Sequence, residues 1–253
     1  MPSTAAEPDS RPPVFLCDPA ALAADVVVLD GAEGRHAATV RRLAVGERAD
    51  LTDGAGLIAE CVVTATGTGT LELSVLARRS EPRPAPGLVV AQALPKGDHG
   101  PLAVDLMTEG GVDVIVPWAA RRCVTRWEGA RGDRALARWR ATAVQAAKQS
   151  RRAWLPEVTG PASTGDLAGR VATASLAVLL DPAAPVALSG LDLPGSGDIL
   201  VIVGPEGGIS PEETALLTRA GAVAARLGPT VLRTSSAGLV AAAIVASRTG
   251  RWN

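Results

Sequence analysis

The chemistry this chain can do is concentrated in the stretch Gly204-Pro205-Glu206-Gly207-Gly208-Ile209-Ser210-Pro211-Glu212-Glu213. Its glycines let the backbone visit φ > 0 and approach a ligand closely. Ser210 is a good helix N-cap, Pro211 suits the first helical position, and Glu213 completes a capping box three residues after Ser210. A glycine-rich loop opening a helix often cradles phosphate. Here no Lys-Ser or Lys-Thr follows the glycines, the G-x-G-x-x-G spacing is absent, and Glu212 and Glu213 would repel an anion at the positive end of the helix. A neutral or cationic ligand suits the loop better. Taken alone, the stretch also fits a tight strand-to-helix turn with no ligand.

A second Gly/Pro-rich stretch, Leu227-Gly228-Pro229-Thr230-Val231-Leu232-Arg233-Thr234-Ser235-Ser236-Ala237, follows one short helix and one short strand later and opens another apolar helix. The elements that must position both loops are readable from apolar periodicity. Strands are expected over 88–94, 112–116, 176–180 and 199–203, with helices over about 102–109 and 133–149. This alternation predicts an α/β layer on a parallel sheet. In the long helix Leu136, Trp139 and Ala143 recur at helical spacing, leaving Arg134, Arg138 and Lys148 off the buried stripe. The helix from Ala237 to Ser247 is apolar almost all round, so it is expected to be covered on every side.

The N-terminal part reads differently. Residues 1–13 are polar and Pro-rich, which predicts a disordered lead. From 14 to 77 short β-prone runs alternate with turn signals, among them Asp53-Gly54, as in a small β-barrel. Within it, residues 34–43 form a short helical segment carrying Arg35, His36, Arg41 and Arg42. Residues 78–87, charged and Pro-rich, read as a linker, and 88–253 as the second domain.

With 253 residues and a net charge of −1, no global field announces a polyanionic partner. The distribution is uneven. Residues 121–152 carry ten basic side chains against two acidic ones, a local charge of +8, whereas residues 1–80 hold seven basic and eleven acidic side chains. Cys17, Cys61 and Cys123 are odd in number and widely spaced, with no C-x-x-C, so neither a disulfide framework nor a metal site is indicated and a reducing cytoplasm fits. The longest apolar stretch, Ala237 to Ala246, is too short to span a bilayer, so no membrane partner is expected.

Together GPEGGIS and LGPTVLRT resemble the cofactor loops of the SPOUT class of RNA methyltransferases, and within it the family that methylates N3 of a uridine near the 3′ end of 16S ribosomal RNA. The resemblance extends through Lys96-Gly97-Asp98, Thr108-Glu109-Gly110-Gly111-Val112, Arg138-Trp139 and Gln149-Ser150 with Arg152. It implies a C-terminal parallel-sheet domain with a trefoil knot, an N-terminal PUA-like β-barrel as an auxiliary RNA contact, S-adenosyl-L-methionine as cofactor, 16S rRNA in the small ribosomal subunit as partner, and a homodimer. Leu180, Gly204, Glu206, Gly207, Gly208, Leu227, Gly228 and Leu232 would hold the cofactor. Arg233 would stabilise the uracil anion and Glu109 would take its proton. Arg35, Arg41, Arg42, Lys96, Arg121, Arg122, Arg126, Arg151 and Arg152 would hold RNA phosphates, and Trp118, Trp127, Trp139 and Trp154 offer stacking surfaces, Trp139 being core by its spacing. The chain departs from relatives in two places: Ser235-Ser236 stand where they carry Glu-Thr, and Asp105-Leu106 where they carry Gln-Lys. Competing readings are a SPOUT enzyme for transfer RNA or a ribose hydroxyl, an RNA-binding homologue that has lost catalysis, and, with no phosphate loop to support it, a nucleotide-binding α/β enzyme.

Overall fold

The computed structural model describes residues 11–252 and divides into two units. The first comprises the chain up to Arg83 together with Arg151–Trp154; the second comprises Pro84–Ser150 and the chain from Leu155 onward. Most of the expected N-terminal lead lies outside the described residues.

In the first unit five strands, β1 (Val14–Leu16), β2 (Val26–Leu29), β3 (Arg48–Thr52), β4 (Leu57–Gly67) and β5 (Thr70–Ser80), form one sheet in the order β1-β3-β4-β5-β2. Pairing is antiparallel except between β1 and β3. Two register shifts in the β4–β5 ladder, at Glu60/Cys61 and Val63/Ala65, are the irregularities that bend a sheet around its core. Phe15, Leu22, Leu51, Leu71 and Leu73 fill that core. Strand β5 continues through Ser80, into the segment expected to be a linker, because its last residues still pair with β4. The expected helix over 34–43 starts earlier, as α1 (Gly31–Arg35), and passes into a π-helical turn over His36–Val40. His36 packs edge-on against Phe15, with ring centroids 5.9 Å apart, so it belongs to the packing of this unit.

The second unit is built on a six-stranded, wholly parallel sheet. Its strands are β6 (Gly87–Ala93), β7 (Val114–Trp118), β8 (Glu157–Val158), β9 (Leu176–Leu180), β10 (Asp198–Val203) and β11 (Val223–Ala225), in the order β11-β9-β10-β6-β7-β8. Ile199 to Val203 and Leu88 to Ala93 are buried throughout, as strands covered on both faces must be. Helices α2 (His99–Glu109), α3 (Gly129–Gln149) and α6 (Thr234–Arg248) cover one side, α2 packing on both of the others, while α4 (Thr164–Thr173) packs with α5 (Pro211–Arg219). In α3, Trp139, Ala143 and Ala146 are buried while Arg131, Arg134 and Arg138 are exposed. Lys148, expected on the exposed face, is buried in the last turn of α3, where the helix dipole favours a cation. Helix α6 is not covered on every side: Ala237, Ala241 and Val245 are buried, whereas Leu239, Val240, Ala243 and Ile244 are only half-buried.

The last turn of the unit is tied to its first strand. The guanidinium of Arg251 pairs with Asp113 at 2.8 Å, both side chains about 5% exposed, and also donates to the carbonyls of Pro86 and Gly111. Asp113 in turn accepts the N–H of Leu88 at 2.8 Å. No helix among the described residues is long and apolar enough to cross a membrane.

Candidate functional site

The second unit has a cavity of about 420 Å³ at the carboxyl ends of β9 and β10, within the size range of small-molecule sites and at the edge of a parallel sheet where ligands usually bind. Three segments meet there: Leu179–Pro182 after β9, Val203–Ile209 after β10, and Leu227–Thr234 before α6. The two glycine-rich loops thus share one cavity. Thr234 ties them together by donating its hydroxyl to the carbonyl of Gly204 at 3.3 Å.

Local geometry explains the residue types. Gly208 has φ +73°, and a Cβ on Gly204 would lie 2.7 Å from Cγ1 of Ile209, so a side chain at either position forces the loop to shift. The capping box forms as expected: Ser210 Oγ accepts the Glu213 N–H, and Glu213 Oε2 accepts the Ser210 N–H at 3.1 Å. The other carboxylate oxygen reaches further, accepting the Arg121 N–H at 2.8 Å and the Thr164 hydroxyl at 2.9 Å. Burial pushes this carboxyl up, but donors from Arg121, Ser210 and Thr164 outweigh it and hold Glu213 below the usual glutamate range.

Of the residues expected to hold a cofactor, Leu180, Gly204, Glu206, Gly208, Leu227, Gly228 and Leu232 line the cavity. Gly207 does not. The turn directs it outward, where its carbonyl accepts Nη1 of Arg122 at 3.1 Å. Asp181, Thr230, Thr234 and Ala237 line the cavity without having been singled out in the sequence. Asp181 had a signal, being the first polar residue after the buried run of β9. Among the described residues, the charged side chains on the cavity are the carboxylates of Asp181 and Glu206, with no lysine or arginine. That lining suits a neutral or cationic ligand and disfavours a phosphate. Its leucines and valines supply an apolar slot, and its loops supply main-chain donors and acceptors, a combination that fits an adenosyl sulfonium.

Arg233 is the N-cap of α6, flanked by the lining residues Leu232 and Thr234. Its side chain is exposed and does not cap the helix. Glu109 is elsewhere. It ends α2 and leads through Gly110–Val112 to Asp113, whose N–H donates to Leu88 O at the amino end of β6. Because α2 runs back along the sheet, Glu109 is exposed toward the amino edge and does not line the cavity of its own chain. Burial raises all three cysteine thiols, Cys61 to about 11, so none is poised as a thiolate.

The expected RNA contacts fall on both units. Lys96, Arg121, Arg122 and Arg126 are exposed on the second, around the cavity loops: Lys96 N–H donates to Glu206 Oε1 at 3.3 Å and Arg121 pairs with Glu212 at 3.2 Å. Arg35, Arg41 and Arg42 are exposed on the first, and Arg151 and Arg152 also belong to it, not to the domain in which their sequence position had put them. Trp154 explains this return, since its Nε1 donates to Glu81 O at 2.9 Å and the N–H of Gly56 donates to Ala153 O. Trp118 offers no stacking surface, being fully buried with Nε1 donating to Thr164. Trp139 is core as expected, and Trp127 packs edge-on against it at 4.9 Å.

A parallel α/β sheet with a phosphate-averse cavity built from two glycine-rich loops, preceded in sequence by a β unit, is the architecture of an RNA methyltransferase. Family models agree: the RNA methyltransferase domain matches residues 82–246 and the RNA methyltransferase PUA domain residues 29–76. The chain belongs to the ribosomal RNA small subunit methyltransferase E family. It is 49% identical over 232 residues to the member from Mycobacterium bovis, covering 90% of this chain and 88% of that one, and 28% identical over 229 residues to the member from Bacillus subtilis, covering 87% and 90%. The crystal structure of ribosomal RNA small subunit methyltransferase E from Neisseria gonorrhoeae, bound to S-adenosyl methionine, superposes with a TM-score of 0.82 at 26% identity, covering 94% of this chain and 98% of that one.

Proposed function

We propose that this chain transfers a methyl group from S-adenosyl-L-methionine to N3 of a specific uridine near the 3′ end of 16S rRNA in the small ribosomal subunit. Family membership makes it an S-adenosylmethionine-dependent rRNA methyltransferase. The observation that carries the reading is the cavity itself: two glycine-rich loops enclose an apolar slot whose only charges are carboxylates, next to loops bearing Lys96, Arg121, Arg122 and Arg126. The cofactor, when bound, supplies an electrophilic methyl group on a sulfonium.

The residues of the chain then have three tasks. Leu180, Gly204, Gly208, Leu227, Gly228 and Leu232 hold the donor and exclude water. Arg233, on the rim between two lining residues, presents its fork to a uracil oxygen and stabilises the anion formed when N3 gives its proton to solvent water before the methyl group is transferred. Lys96, Arg121, Arg122 and Arg126, with Arg35, Arg41, Arg42, Arg151 and Arg152 on the first unit, hold phosphates and bring the base out of its stack. The knot implied by the family resemblance belongs to the same reading, supported by the convergence of the loops after β10 and before α6 on one cavity.

The protein acts as a homodimer in the cytoplasm. What supports the dimer is the half-buried apolar stripe of α6, Leu239, Val240, Ala243 and Ile244, which a second copy would cover. Light scattering at micromolar concentration reads this directly, a monomer counting against it.

The test of the reaction is incubation with labelled S-adenosylmethionine and small ribosomal subunits from a strain lacking this gene, followed by mass spectrometry of the nucleosides. Label in 3-methyluridine is expected. Label in a different nucleoside, or cofactor binding with no transfer, overturns the assignment.

A further inference from the structure

A second recess of about 330 Å³ lies in the same unit, between the loop after β6, the start of α2 and the exposed face of α3. Arg126, Arg131, Arg134 and Arg138 line it, with Gly97, Gly100 and Trp127. Arg131, Arg134 and Arg138 recur at i, i+3 and i+7, so they form one ridge about 10 Å long. The nearby acids do little to balance them. Asp98 pairs with Arg138 at 2.8 Å, while Glu128 and Asp133, the other acids of that stretch, do not line the recess. Arg126 is committed to the carbonyls of Ala120 and Arg121, and no acid pairs with it among the described residues. The side chains of Arg131 and Arg134 have neither ion pair nor hydrogen bond among the described residues. Guanidinium forks left without an acid on a concave surface match phosphate oxygens.

The recess is one residue away from the cofactor cavity. Pro95 and Gly97 line the recess, and the N–H of Lys96 between them bonds to Glu206, which lines the cavity. We propose that this recess is a docking groove for the phosphate backbone of the RNA strand flanking the target nucleotide, with Arg131 and Arg134 as its main contacts. The inference rests on the methyltransferase reading above. It adds residues that the two cofactor loops do not point to, and it makes the α3 ridge the track along which the strand reaches the cavity. Contacts of this kind carry affinity and register without sequence information.

The test is the double variant Arg131→Ala/Arg134→Ala, made at exposed positions that support no other side chain, with Arg170→Ala and Arg219→Ala on other exposed helix surfaces as controls. RNA binding is followed by filter retention across a salt series, cofactor affinity by calorimetry, and methylation of small subunits by label incorporation. Expected are an unchanged cofactor affinity, a rise of about tenfold in the KM for RNA, and a salt slope shallower by about two, one for each phosphate that is no longer neutralised. The controls keep the wild-type slope. A double variant with wild-type RNA affinity and salt slope overturns the groove while leaving the methyltransferase reading intact. Loss confined to assembled subunits, with naked RNA bound normally, overturns it too, because the ridge would then face a ribosomal protein. Failure of the wild-type protein to label any RNA defeats the functional reading itself.

Discussion

Glu213 Oε1 accepts the backbone N–H of Arg121 at 2.8 Å across 92 residues of sequence. Through this bond, the helix that the glycine-rich loop opens is tied to the loop that carries Arg121 and Arg122. Arg122 closes the connection from the other side by donating to Gly207 O. The position of the basic loop therefore depends on the conformation of the glycine-rich turn.

Removing that carboxylate leaves the Arg121 N–H and the Thr164 hydroxyl without their acceptor. Glu213→Ala is expected to cost about 1.5–3 kcal/mol of stability, read by urea unfolding at pH 7. Since the folded-state pKa of Glu213 is depressed, its contribution is complete above the unfolded-state pKa and fades as pH falls through the folded value. The gap between wild type and Glu213→Ala should accordingly narrow in acid. A gap constant with pH would show that the charge of Glu213 is not what stabilises the junction.

Gly204→Val places a branched side chain where Ile209 already stands, and Gly208→Val imposes a Cβ on a backbone at φ +73°. Both variants are expected to stay folded, since the loop is at the sheet edge, and to weaken S-adenosylmethionine binding tenfold or more, about 1.4 kcal/mol. Calorimetric titration decides; wild-type affinity would remove these loops from the binding site.

Arg233→Ala should separate binding from chemistry. Its side chain is exposed, so stability and cofactor affinity are expected to hold while kcat falls by roughly 10²-fold or more, as for loss of one oxyanion donor. Single-turnover methylation at saturating RNA makes the distinction, and an unchanged rate would exclude the role assigned to Arg233.

Asp50, in the first unit, has a buried oxygen with no hydrogen-bond partner among the described residues. Burial, and then the charge of Glu60, push its carboxyl above the usual aspartate range. Ionisation therefore costs more in the folded state, and the penalty grows as pH rises through the unfolded-state pKa. Asp50→Asn should raise the midpoint of urea unfolding at pH 7, with the advantage shrinking toward acid. A less stable variant at pH 7 would mean that the carboxylate is paired in solution.

Much of the second unit is legible in the sequence because β10 and β6 are apolar runs bounded by glycine and proline, and such runs have few alternatives. Both glycine-rich loops that line the cavity are legible too, down to the capping box at Ser210. Helix α4 is harder to see, since only Leu167 and Val171 of its ten residues are buried and two glycines interrupt it; Ser163 with Asp166, a capping pair, was its signal. The edge at which Glu109 stands is legible as well: Gly110, Gly111 and Val112 mark a helix end just before a strand, and in a parallel α/β layer a helix that leads into the next strand ends at the amino edge. By contrast, nothing near Arg151 announces that four residues rejoin the first unit, a return that depends on Trp154 meeting Glu81.

The Arg251 fork has a mechanical meaning. It joins the entry of β6, through Pro86, and the entry of β7, through Asp113, to the last turn of the described chain, 138 residues beyond Asp113. A pull applied between the two ends of this unit is thus borne first by a cluster of parallel polar bonds, not by the strands one at a time. The parallel sheet and the cavity at its far edge are shielded from tension until that cluster gives way.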